Sequence, residues 1–219
     1  MSGNHNHDHD HHDHSHEWEH DGRFEAVIGR YEDGDGWWAS YFTDLINNSD
    51  GIIDIHIAED TMSHQEIEFI NELIDDIEEV IDTEIQIESR KVDSDITIAR
   101  VLGYEQFDVL TGIDYSDVDG LAFLDEDGDH IFATFNDSEF ETEPVYNEYG
   151  DVVDFNTTLS DDTKYVIAHE LLHALGLQHP DDDGYNVGYT ADDTLMSYNR
   201  TGNFDLTNID STALDTLWG

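Results

Sequence analysis

The chain contains no cysteine, so a disulfide framework, a thiolate metal site and latency through a blocking propeptide thiol are all excluded. Redox compartment cannot be inferred from such a sequence. Cationic side chains are nearly as scarce: 7 Lys plus Arg stand against 54 Asp plus Glu, a formal net charge of -47. A surface this acidic argues against nucleic acid as a partner, because phosphate is bound by positive charge. No run of roughly 18 apolar residues occurs, and membrane insertion is not expected. The N-terminus also lacks the basic start and apolar centre of a secretory signal.

Self-repulsion on that scale keeps a protein soluble but opposes the compact state unless salt screens it or cations bind. Two readings follow: adaptation to saline surroundings, or a set of calcium loops. The acidic residues are spread along the chain rather than grouped, which favours the first. The loops Asp33 to Gly36, Asp125 to Asp129 and Asp181 to Asp183 are the candidates for Ca²⁺. None has ligands at positions one, three and five with glycine at six, and His130 stands where that glycine belongs. At 219 residues the chain is long enough for one domain with a sizeable core, expected to be monomeric.

Against this background the segment AHELLHALGLQHP is unusual. On a helix, residues four apart lie one above the other, so His169 and His173 can offer two imidazole nitrogens to one ion. Glu170 then falls beside that ion and can take a proton from a water whose pKa the metal has lowered to roughly 7. Gly176 suits the left-handed turn that ends a helix, and the reversal brings back His179 as a third ligand. Packed or solvated histidines are the plainer explanation. Outside the N-terminal tail, however, only His56, His64 and His130 occur besides these three, so chance spacing is a poor account.

The pattern HExxHxxGxxH resembles the zinc signature of the metzincin metalloproteases. Pro180, the segment YTADDTLMSY (189–198) and the closing LTNIDSTALDTLWG (206–219) are more specifically similar to serralysins, the close match covering about residues 160 to 219. The resemblance implies one catalytic Zn²⁺ held by His169, His173 and His179, with Tyr198 as a further ligand that swings away to hydrogen-bond the oxyanion. It implies Glu170 as general base and acid in peptide-bond hydrolysis, and Met196 as a packing floor in a Met-turn. It further implies an edge strand, Gly120, Leu121, Ala122 and Phe123, to which an extended protein or peptide substrate adds. From the sequence alone that strand could equally be an interior one.

The implied architecture is α+β and two-lobed: a mixed twisted sheet with a long backing helix and an active-site helix in residues 51–179, then a small, mostly irregular lower lobe, 180–219, ending in a helix. By analogy the enzyme would be secreted, although the sequence shows neither a signal peptide nor the family's C-terminal calcium repeats.

Local patterning agrees with that order of elements. Ile53, Ile55 and Ile57 alternate with polar residues as in a half-buried strand. Ser63 and Glu66 form a capping box before a helix whose apolar face runs through Ile67, Ile70, Leu73, Ile74, Ile77, Val80 and Ile81. Strands are expected at Glu84–Glu88, Asp95–Arg100, Gly120–Leu124 and His130–Phe135. Ser160 is the expected N-cap of the active-site helix, with Asp161 and Asp162 at its positive end and Tyr165 among its apolar packing residues. A last helix is expected at about Asp210–Trp218.

Residues 1–22 carry eight histidines among the first twenty and cannot bury a core, which suits a disordered tail, an expression tag, a metal-gathering segment or a latency device. Residues 23–50, with Trp37, Trp38, Tyr41 and Phe42 close together, are an extension or pro-segment. A non-catalytic zinc-binding module with a metal-gathering tail is the alternative to a protease. It has no use for Glu170. If the chain is an enzyme, its negative field favours cationic peptides at low ionic strength.

Overall fold

A computed structural model describes residues 22–28, 51–101, 119–125, 130–136, 142–146, 152–157 and 159–219. The histidine-rich stretch, the aromatic cluster from Trp37 to Phe42, the Asp33–Gly36 loop and positions 126–129 lie outside the described residues. Strand β1 (Ile53–Ile57) turns its three isoleucines inward and leaves Asp54 and His56 half-buried, as a period of two requires. It pairs in parallel with β2 (Ile85–Ile87) on one side and β3 (Ile96–Val101) on the other. Strand β5 (Ile131–Asn136) runs parallel to β3, and β4 (Gly120–Leu124) runs antiparallel to β5. The result is a mixed five-stranded sheet in the order β2-β1-β3-β5-β4, with β4 at one edge. Strands β6 (Thr142–Tyr146) and β7 (Val152–Thr157) form a separate antiparallel pair.

Helix α1 (His64–Glu78) starts at the expected capping box: Ser63 Oγ accepts from Glu66 N–H, and the Glu66 side chain accepts from Ser63 N–H. Ile70, Leu73, Ile74 and Ile77 form its buried face. The helix stops at Glu78, so Val80 and Ile81 meet the core from the following turn rather than from the helical face. Helix α2 (Asp161–Ala174), capped by Ser160, is buried through Tyr165–Leu172 and packs against β5, β4 and α1. Such all-round burial is what a core helix, rather than a surface one, shows. Helix α3 (Asn208–Trp218) begins at a second capping box, Thr207 with Asp210. Its far end is tied in twice: the Trp218 indole N–H donates to Leu175 O at 2.9 Å, and Thr83 Oγ1 donates to Trp218 O at 2.6 Å.

Among the described residues the fold is thus α+β, with three α-helices and a mixed five-stranded sheet. No helix among the described residues is long and apolar enough to cross a membrane. Residues 22–28 belong to this body. A short 3₁₀ turn (Gly22–Ala26) rests on α3, Val27 and Ile28 are buried, and Arg23 pairs with Asp193 at 2.8 Å. A boundary drawn at residue 23 from composition gives no hint of this docking.

Candidate metal centre

The end of α2 builds the site. Gly176, with φ of 98°, occupies the left-handed position past the helix, where a residue with Cβ would be strained. Its N–H donates to His173 O and the next N–H, from Leu177, to Leu172 O, both at 3.0 Å. This pair of reversed bonds is the Schellman closure of a helix. It turns the chain so that His179 faces back toward α2.

Three Nε2 atoms then converge. His179 Nε2 lies 3.1 Å from His173 Nε2 and 3.3 Å from His169 Nε2, and one ligand atom from each residue lies within 4.8 Å of the others. The opposite ring nitrogens explain why. His169 Nδ1 is 2.7 Å from Leu195 O and His173 Nδ1 is 2.8 Å from Leu177 O. A carbonyl only accepts, so both Nδ1 atoms carry the proton and both Nε2 atoms present lone pairs. His179 Nε2 brings at most one proton to these two lone pairs, so hydrogen bonding can account for their closeness only through a single shared hydrogen. Nitrogens bound at ~2.0–2.1 Å around a tetrahedral ion are ~3.3–3.4 Å apart, close to the spacing seen. The three residues therefore fit a metal ion, and the carbonyls of Leu195 and Leu177 orient two of them.

Electrostatics keep the set neutral. Burial lowers the pKa of His169 from its usual 6.5 to about 3 and that of His173 well below 6.5, while His179 is lowered mainly by burial against the pull of Asp182 and Asp183. Neutral imidazole is the form that ligates. Glu170 moves the other way: burial raises its carboxyl to about 8, although the Ala122 backbone N–H hydrogen-bonds the charged form.

Strand β4 supplies the opposite wall, and space there is tight. A Cβ on Gly120 would stand 2.5 Å from Glu170 Cγ, 2.6 Å from its Oε1 and 2.7 Å from Val166 Cγ1. Gly120 and Ala122 therefore meet Glu170 directly. Leu121 and Phe123 are engaged with β5 instead, through Thr134 Oγ1 donating to Leu121 O at 2.8 Å and a stack of Phe123 on Phe132. A cavity of about 480 Å³ opens between β4 and α2, lined by Asp119, Gly120, Tyr165, Val166, His169, Glu170, Tyr185, Tyr198 and Arg200.

The loop between His179 and α3 forms the remaining side. The Tyr198 ring packs on His169 and His179, with centroids 5.2 and 4.5 Å away, and Tyr185 packs on its outer side. Gly184 makes room for it, since a Cβ there would run into the ring, and Gly184 O accepts from Tyr198 N–H at 2.7 Å. Burial pushes the Tyr198 hydroxyl up to about 12. Met196 is fully buried in the core, with its N–H on Thr194 Oγ1 at 3.2 Å. Asp210 holds this loop from α3: its carboxylate accepts from Leu195 N–H at 3.0 Å and from the Thr194 hydroxyl at 2.5 Å.

The sequence reading missed several of these residues. Tyr165 packs as its apolar ring leads one to expect, but its hydroxyl also reaches Ser197 O at 2.6 Å. Arg200 lies 3.0 Å from Asp119 and covers the Tyr165 ring at 4.8 Å. One of only seven cations, placed four residues after Met196, was a signal for it. The last helix, expected from about Asp210, starts at Asn208 under a capping box that the sequence reading did not see, and the reach of Asp210 into this loop was not legible either. No family model matches the chain, and no curated protein gives a significant match.

Proposed function

We propose that this protein is a zinc-dependent endopeptidase of metzincin type, serralysin-like in its last sixty or so residues, with residues 51–179 and 180–219 as the lobes above and below its cleft. The observation that carries the reading is the meeting of three imidazole Nε2 atoms beside a buried Glu170 under an edge strand. Three imidazoles at near-tetrahedral spacing, with no thiolate available, suit Zn²⁺ better than Ca²⁺ or Mg²⁺, which take oxygen. When bound, the ion would act as a Lewis acid on a peptide carbonyl and acidify water beside it.

The chain's own groups do the rest. Glu170, buried beside the three histidines, takes a proton from the attacking water and delivers it to the leaving nitrogen. Tyr198 keeps its proton across the neutral range and donates a hydrogen bond to the carbonyl oxygen as negative charge develops there. The outer edge of β4 holds an extended peptide by main-chain hydrogen bonds, which favours unfolded protein or peptide over any one sequence.

Glu170→Gln tests this. Denatured protein digested by zinc-loaded wild type and read by mass spectrometry should give fragments that a chelator abolishes. The variant should keep its zinc and lose at least about a hundredfold in rate. Zinc-loaded wild type that cleaves nothing across a broad panel would leave the non-catalytic zinc-binding module as the better account.

A further inference from the structure

Tyr165 lies one helical turn before His169 on α2, and its side chain is buried. Its hydroxyl donates to Ser197 O at 2.6 Å and lies 3.3 Å from His169 Nδ1. Since His169 Nδ1 carries a proton for Leu195 O, that proton is shared, reaching Leu195 O at 2.7 Å and the Tyr165 oxygen at the longer distance. Every hydrogen is then accounted for: the phenol gives its own to Ser197 O and receives part of the imidazole's. The tyrosine ring is held in turn by Arg200, whose guanidinium lies 4.8 Å from its centroid and also pairs with Asp119, the residue before β4.

The geometry points to Tyr165 as a positioning residue that locks α2 to the loop Leu195–Tyr198, fixing both the direction of the His169 Nε2 lone pair and the peptide from which Tyr198 projects. A helix and a loop joined only through Leu195 O would leave the imidazole free to rotate about one hydrogen bond. The second contact removes that freedom. The Ser197 carbonyl immediately precedes Tyr198, so the same hydroxyl sets the base of the side chain packed over His169 and His179. Phenylalanine would preserve the ring, its packing and the guanidinium contact, and would delete only this link.

The inference rests on the metal role proposed for the three histidines, and the test separates the two. Full-length wild type and Tyr165→Phe are stripped with chelator and titrated with Co²⁺, both in competition with a chelator for affinity and by visible absorption for coordination geometry. The expected result is affinity weaker by about 10- to 100-fold and an altered cobalt spectrum, the usual consequence of losing a hydrogen-bond partner behind a ligand. With zinc restored, kcat for a peptide should fall more than KM rises. Ile77→Val, in the α1 core, serves as the control for general destabilisation and should lower the thermal midpoint without moving affinity or spectrum. Wild type that binds no stoichiometric Co²⁺ overturns the metal reading and this role together. Wild type that binds, with a Tyr165→Phe protein of the same affinity and spectrum, overturns the positioning role alone. Should Tyr165→Phe not fold, the wild-type protein decides by proton NMR: a slowly exchanging Tyr165 hydroxyl proton near His169 Hδ1 is required, and its absence sinks the inference.

Discussion

Gly120 shows what a single missing Cβ does for this site. The Glu170 side chain crosses the space above it, and an added methyl would stand 2.5 to 2.7 Å from three atoms of α2. Both sides of that contact are buried or anchored, Glu170 by its hydrogen bond from Ala122 N–H and Val166 by the core. Something must shift, and the carboxylate is the group with somewhere to go. Gly120→Ala is expected to retain metal within a few-fold, because the atoms nearest the new methyl belong to Glu170 and Val166 rather than to a histidine. It should lose at least tenfold in kcat/KM and about 1–3 kcal/mol of stability through overpacking. Metal titration beside peptide kinetics checks this, and unchanged kinetics would show that Glu170 has slack. Gly176 could be read from sequence because its role is local: a helix pattern stops and a left-handed turn is needed. Gly120 could not, since its partner lies fifty residues away.

At the level of elements, what the sequence revealed was whatever has its cause nearby. Ser63 and Ser160 cap helices by bonds to residues three positions on, and the isoleucine alternation of β1 reports its own burial. The β6–β7 hairpin was missed although it is local, because Pro144 and interspersed acidic residues break the apolar alternation of its strands, and the docking of residues 22–28 was missed because it is decided by a surface far along the chain. Helix α2 carries a pH dependence that follows from its burial. In metal-free protein His169, His173 and His179 are all depressed, so each contributes stability that is full above 6.5 and lost as pH falls, down to about 3 for His169. Glu170 is raised, so its contribution is full below 4.5 and lost as pH rises through about 8. Between 4.5 and 6.5 three histidines oppose one glutamate and stability climbs with pH. Between 6.5 and 8 only Glu170 titrates, and stability declines. These four groups place the optimum of the chelated protein near pH 6.5. Thermal midpoints across this range should show the decline above it in wild type and not in Glu170→Gln. Profiles that coincide above pH 6.5 would mean that Glu170 titrates normally.

The whole molecule is governed by its charge. Arg23, Arg90, Arg100 and Arg200 pair with carboxylates, and Lys91 and Lys164 lie over the rings of Phe132 and Phe204. That uses nearly every cation the chain has, against 54 acidic residues. Salt has two opposed effects on such a body. It weakens attractive surface pairs worth about 0–1 kcal/mol each, and it weakens repulsion among a far larger number of like charges. With 54 acidic residues against 7 basic ones the second effect dominates. Raising NaCl from 0.1 to 1 M shortens the screening length from about 10 Å to about 3 Å, so the thermal midpoint should rise. For the peptidase proposed above, the same screening should remove the pull of its field on cationic peptides: KM for a lysine-rich substrate is expected to rise toward that of a neutral one, with kcat little changed. Matched peptides assayed at both salt concentrations, alongside melting curves, check the two effects on one sample. A midpoint that falls with salt would show that the few attractive pairs outweigh the repulsion. A lysine-rich substrate whose KM ignores salt would show that the cleft does not feel the field around it.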